Sequence, residues 1–285
     1  MPPYDGGSRA IAATPPGERR TGSLPDMRSE APDFTVAYGD DSEQIADVRL
    51  PPAGTSVRPF VIYIHGGFWK AEWDRTHAEP LARALAALGH PIASLEYRRV
   101  GQPGGGWPGT LDDVETAVTE LPELVAVAIA ERGGSPLDAT RPILVGHSAG
   151  GHLALWIGHR IGPAGTRGVV ALAPVADLTQ AYQLGLGGGA TGRLLGGGPA
   201  DVPERYAAAD PGANLPLGVP ATIVHGDLDD SVPVSVGEDF VARARTSGDE
   251  IVMVRLADTG HMALIDPESD AWDEVVGAIE ALSRG

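Results

Sequence analysis

Short apolar runs punctuate the chain, and between them apolar positions return every three or four residues. The runs at residues 45–50, 60–64, 91–97, 142–145, 168–173 and 219–224 have the length of strands. Most are apolar at consecutive positions, the pattern of a strand covered on both faces. The last run, 250–256, alternates apolar and polar residues and reads as a strand with one wet face. Helical periodicity occupies 77–88, 110–132 and 150–161, with an interruption expected near Pro122. Strands alternating with helices predict the α/β class. The sheet is expected to be mostly parallel, with helices on both faces, in one domain over 34–285.

Two segments depart from this rhythm. Residues 1–33 are rich in proline, glycine and arginine and contain no apolar stretch, so they read as a disordered tail without a secretory signal. Residues 175–218 sit between two predicted strands, and eight of the 14 residues from 185 to 198 are glycine. This insertion is expected to form a small, mobile cap or lid over a site. Residues 187–192 match G-x-G-x-x-G, but they neither follow a strand nor open a clear helix, so no dinucleotide site is expected.

Candidate chemistry appears where predicted strands end. The run at 142–145 leads into Gly146-His147-Ser148-Ala149-Gly150, and helical periodicity follows. Strand, serine, helix is the context of a nucleophile elbow, in which small neighbours let strand and helix approach around a strained turn. The N–H of Ala149, the residue after that serine, is then one oxyanion donor. Upstream, the run at 60–64 leads into His65-Gly66-Gly67-Phe68-Trp69, where two glycines let the backbone turn N–H groups into a cavity. After the run at 219–224 come Asp227, Asp229 and Asp230, three competing carboxylates. After the last strand comes His261, which alone would read as an ordinary polar loop residue.

The pairing of His-Gly-Gly-Phe-Trp with Gly-His-Ser-Ala-Gly-Gly resembles the α/β-hydrolase superfamily, from about residue 36 to the C-terminus. Its H-G-G-x-W signature is similar to kynurenine formamidases and to neighbouring esterases of the hormone-sensitive-lipase type. Phe68 stands where the lipase-type H-G-G-G pattern has a third glycine. The resemblance implies that Gly67 and Phe68 supply the upstream oxyanion N–H groups. It assigns the triad acid to Asp229, through H-G-x-x-D-x-x-V-P, and the general base to His261. Ser148, Asp229 and His261 follow in the chain order of this superfamily. The implied activity is hydrolysis of a small carboxylic ester or amide through an acyl-enzyme, kynurenine-formamidase-like in one version.

An aromatic pocket is expected from Phe68, Trp69, Tyr97, Trp107 and Tyr182, with His147 in reach of substrate and core packing the rival reading for Tyr97. The remaining histidines read as loop braces (His65, His225), helix packing (His152) or surface and helix-end residues (His77, His90, His159). None has a ligand spacing and cysteine is absent, so no metal site and no cofactor are expected. A net charge of −17 with a single lysine, Lys70, argues against nucleic acid as a partner and leaves little scope for Schiff-base chemistry. No apolar stretch is long enough to span a membrane, and a cytoplasmic location is the default expectation. Two other readings use the same residues: a peptidase or acyltransferase of a biosynthetic pathway, and a non-catalytic ligand-binding protein of this fold. The complete Ser-Asp-His set favours an enzyme over the last of these.

Overall fold

Chain order and hydrogen bonding lay the strands into one twisted sheet. The computed structural model describes residues 31–134 and 136–284, so the tail expected over 1–33 lies outside the described residues except for its last three positions. Asp33 is already tied to the sheet: its N–H donates to Val48 O at 3.0 Å, and its carboxylate accepts from Leu50 N at 2.7 Å. The first strands are β1 (Phe34–Ala37), β2 (Ile45–Arg49) and β3 (Val61–Ile64). Helix α1 (Glu79–Ala87) leads to β4 (Ile92–Leu95), and α2 (Gly109–Glu131) leads to β5 (Ile143–His147). Then come α3 (Ala149–Gly165) and β6 (Gly168–Leu172), followed by three short helices, α4 (Leu178–Gln183), α5 (Leu186–Leu195) and α6 (Pro203–Ala209). The chain closes with β7 (Ala221–Gly226), α7 (Val234–Thr246), β8 (Ile251–Leu256) and α8 (Trp272–Ser283).

The strand order is β1-β2-β4-β3-β5-β6-β7-β8. Strand β2 runs antiparallel to both β1 and β4, and every pairing from β4 to β8 is parallel. The α/β class and the mostly parallel sheet expected from the sequence are therefore present. Parallel strands are joined by helical crossovers that cover both faces, which is why β3 to β7 are apolar at consecutive positions. Alternate residues of β3 go to opposite cores. Ile62 and Ile64 join a cluster with residues of α2, α3 and α7, whereas Val61 and Tyr63 join one with residues of α1 and α8. Strand β8 lies at the edge and keeps a wet face, with Val252 exposed.

One expectation changes. Helix α2 runs through Pro122 without interruption, because Leu121 and Val125 beside it are buried in the core and hold the helix across the missing N–H. The insertion at 175–218, expected to form a cap or lid, contains the three short helices α4, α5 and α6. Within α5 the glycines at 187, 188 and 189 take left-handed φ of 58°, 68° and 81°, so regular helix starts only at Ala190; Ala190, Leu194 and Leu195, with Tyr206 of α6, are buried. Backbone carbonyls tie the insertion down: Ala208 O accepts from Trp156 Nε1 at 3.0 Å, Ala209 O from His152 Nε2 at 2.9 Å, and Leu194 O from Trp107 N at 2.8 Å. His90, read as a surface or helix-end residue, lies just past the end of α1, where it is buried and bonds Pro59 O. Among the described residues, no helix is long and apolar enough to cross a membrane.

Candidate active site

Strand β5 delivers Ser148 at the C-terminal edge of the sheet, and α3 begins at the next residue. Ser148 stands at φ 57°, ψ −117°, a conformation that costs a non-glycine residue about 1–3 kcal/mol and persists only where surroundings enforce it. The surroundings are backbone. Ser148 N–H donates to Leu172 O at 2.8 Å, locking the turn to β6. The flanking glycines are there for approach: a Cβ on Gly150 would lie 2.0 Å from Ile64 O, and one on Gly146 would lie 2.1 Å from Gly150 O. As the first residue of α3, Ala149 carries an N–H with no partner in its own helix.

The loop after β3 closes over this turn. A Cβ on Gly66 would sit 2.8 Å from His147 O and 3.0 Å from the Ser148 Cβ, so that position has no room for a side chain. Gly67, Phe68 and Trp69 all have positive φ, 103°, 52° and 55°, a reversal in which two non-glycine residues are strained. Lys70 N–H to Gly67 O at 3.1 Å and Val100 N–H to Trp69 O at 2.8 Å hold it. Among the described residues, the N–H groups of Gly67 and Phe68 have no acceptor. Behind the loop, His65 is fully buried, bonded to Gly66 O at 2.8 Å and to Glu96 Oε1 at 2.9 Å.

The three competing aspartates separate by environment. Asp227 pairs with exposed Arg255, and Asp230 accepts from the Ser231 hydroxyl at the surface. The Asp229 side chain is buried. Its Oδ1 accepts from Ser231 N at 2.9 Å and Val232 N at 2.7 Å, and its Oδ2 lies 2.6 Å from His261 Nδ1 and 3.4 Å from His225 Nε2. Burial pushes this carboxyl up, but the bonds from His225 and His261, the His261 charge and the Val232 N–H outweigh it. Asp229 is held well below the usual carboxylate range. A carboxylate can only accept, so the His261 proton sits on Nδ1 and Nε2 keeps its lone pair.

His147 supports the same loop from the other side. Its Nε2 donates to His261 O at 3.1 Å, and the two rings are 4.5 Å apart. Burial first, then the nearby His261, push His147 well below the ordinary histidine range, so it stays neutral beside His261.

Ser148, His261, His147, Gly67 and Phe68 line one cavity of about 100 Å³, with Trp73, His77, Ser231 and Met262. A larger surface hollow of about 470 Å³ lies between Gly212 and Ser247, but its lining has neither a nucleophile with a base nor a strained turn. Four residues expected at the pocket lie elsewhere. Trp69 is fully buried, its ring edge-on to His152 at 5.2 Å, because the strained turn points it inward. Trp107 is partly buried against the core and anchors the loop before α2 to α5. Tyr182 packs edge-on against Tyr206 at 6.2 Å within the helical insertion. Tyr97 is buried and stacks on His65, the packing reading. The sequence held little signal for Trp73, His77, Ser231 and Met262, which reach the cavity through loop folding; His77, read as a surface or helix-end residue, forms part of its wall.

Known proteins resemble this chain in sequence or in fold. A family model described as BD-FAE matches residues 46–243, more than half of the chain. Carboxylesterase NlhH of Mycobacterium tuberculosis is 34% identical over 132 residues, 46% of this chain and 38% of that protein. Esterase LipQ of the same organism is 28% identical over 254 residues, 81% of this chain and 58% of that protein. A probable isoprenylcysteine alpha-carbonyl methylesterase of Oryza sativa is 32% identical over 120 residues, 42% of this chain and 26% of that protein. The chain thus spans well under two thirds of the length of these relatives. Among solved structures, a truncated carbohydrate esterase from gut microbiota superposes with a TM-score of 0.74 at 18% identity, covering 90% of this chain and all of that one. Esterase B from Lactobacillus rhamnosis gives 0.70 at 19% identity, covering 90% and 88%. At these identities the likeness is one of fold.

Proposed function

From the chain's membership of the BD-FAE family, within the α/β-hydrolase superfamily, we propose that it is a serine esterase of short-chain carboxylic esters. The observation that carries this reading is the 2.6 Å Asp229–His261 pair on the cavity that Ser148 lines from a strained elbow. The names of NlhH and LipQ agree with it.

Ser148 Oγ attacks the ester carbonyl while His261 Nε2 takes its proton, and the carbonyl π pair moves onto oxygen. The N–H groups of Gly67, Phe68 and Ala149 receive that negative oxygen. Asp229 holds the imidazole in the required tautomer and balances its charge. When the C=O re-forms, the bond to the alcohol oxygen breaks and His261 returns the proton to the leaving alkoxide. Water then repeats the sequence on the acyl-enzyme, releasing the acid and restoring Ser148.

Cavity size supports a small acyl group. About 100 Å³ is small beside the roughly 300–1,000 Å³ of ordinary ligand pockets, which favours a short acyl chain. The alcohol portion then projects past Trp73 and Met262, which are exposed at the mouth. The same size admits a formyl group, so a formamidase-like activity is the second reading. Labelling by a fluorophosphonate probe and its loss in Ser148→Ala test the nucleophile; labelling that survives the substitution sinks the esterase proposal. Turnover of p-nitrophenyl esters is expected to fall as the acyl chain grows from acetate to octanoate. N-formylkynurenine beside that series separates the two readings: its turnover with inert esters selects the amide.

A further inference from the structure

We propose that His65 is a buried, doubly protonated imidazolium that strengthens the Gly67 N–H as an oxyanion donor, a role that rests on the serine-hydrolase reading of the site. Each of its ring nitrogens faces an acceptor. Nδ1 is 2.8 Å from Gly66 O, which has no proton to give, so Nδ1 carries one. Nε2 is 2.9 Å from Glu96 Oε1, and the surroundings decide which partner holds that proton. Glu96 Oε1 also accepts from Tyr97 N at 3.1 Å and lies 3.2 Å from Arg99 Nη1. Glu96 Oε2 accepts from Arg75 N at 3.0 Å and lies 3.5 Å from Arg75 Nη1. A carboxyl surrounded by donors and two guanidinium groups is a carboxylate, and an imidazole that donates from both nitrogens is cationic.

The ring's other neighbours suit a cation. Tyr97 stacks on it at 4.4 Å, almost parallel, presenting a π face. His77 stands edge-on at 5.7 Å, and its burial, the largest cause, holds it below the ordinary histidine range, so it sets no competing charge against the ring.

The consequence follows from peptide resonance. Gly66 C=O and Gly67 N–H are the two ends of one planar unit, so a donor on the oxygen draws electron density from the nitrogen. A charged donor does so about twice as strongly as a neutral one, and hydrogen bonds in series reinforce each other. Gly67 lines the cavity, and its N–H has no acceptor among the described residues. His65, itself sealed from solvent, thus delivers positive charge to the developing oxyanion through a backbone group. It is a positioning residue: it touches no substrate.

Nitrogen-15 NMR of the wild-type protein, with His65 assigned through His65→Gln, reads the charge without reference to activity. Both ring nitrogens should carry protons in the folded protein; one bare nitrogen overturns the proposal. In His65→Gln, which keeps a neutral donor, kcat should fall roughly tenfold or more while KM changes little. The inhibition constant of a trifluoromethyl ketone, which forms an oxyanion on Ser148, should rise in parallel. Equal loss in KM and kcat, or no change in ketone affinity, overturns the role. Should that variant not fold, Glu96→Gln is expected to remove the second ring proton. Failure of the serine-hydrolase reading itself would appear separately, as activity surviving Ser148→Ala.

Discussion

Asp229 concentrates the electrostatics of the site. Four donors converge on a carboxylate whose side chain has no solvent contact. Because its folded value is depressed, the stability these donors contribute is fully present above the ordinary carboxylate range, about pH 4, and is lost as pH falls below it. Thermal melts should therefore drop more steeply on acidification in wild type than in Asp229→Asn. The same substitution should lower kcat/KM by roughly three to four orders of magnitude at neutral pH, measured on a short p-nitrophenyl ester, since it disturbs the tautomer of the base. Gly150 poses a steric test instead. Its missing Cβ would fall 2.0 Å from a backbone oxygen that has no rotamer to change. Gly150→Ala should destabilise the fold by roughly 3 kcal/mol or more in urea titration. A smaller effect would mean that the elbow can open.

At the scale of elements, the helical insertion and the loop after β3 depend on each other. A Cβ on Gly187, which has φ 58°, would lie 2.6 Å from the Phe68 ring, so α5 rests directly on an assigned oxyanion residue. The insertion is anchored at its other end by Asp210, which accepts from Gly212 N at 2.9 Å and Thr179 N at 3.4 Å. Burial first, then Asp177, raise this carboxyl to about 6. A raised folded value means that wild type loses stability as pH climbs from about 4 to about 6. Asp210→Asn keeps an acceptor and removes the charge. Its melting temperature should gain on wild type between mildly acid and neutral pH; a difference that does not vary with pH would contradict this account. Glycine-rich composition suggested mobility, whereas the buried face of these helices and three side-chain or loop bonds to their carbonyls indicate a docked element.

For the whole molecule, charge and cavity size shape what arrives and what fits. A net charge of −17 repels anions over a Debye length of about 8–10 Å at moderate salt. For two esters with the same acyl group, one neutral and one with a carboxylate on the alcohol, added salt should raise kcat/KM selectively for the charged one. Stopped-flow or initial-rate measurements over a salt series check this; equal responses would place compensating positive charge at the mouth.

The order of elements, the glycine turn at Gly66-Gly67 and the elbow at Ser148 were legible along the chain because each is local. A strand's apolar run, a turn's need for glycine and a serine between them occupy neighbouring positions. The choice among Asp227, Asp229 and Asp230 by geometry was not local. It depends on which carboxylate meets a histidine 32 residues away, and only Asp229 is turned inward to do so. Trp69 and Trp73 show the same division. Both follow the glycine turn, yet backbone strain sends the first into the core and leaves the second at the mouth. Residue type and spacing determined which chemistry the chain carries. Side-chain direction, burial and the donors around each charge were settled only when distant segments packed together, since those quantities do not exist until a residue has neighbours.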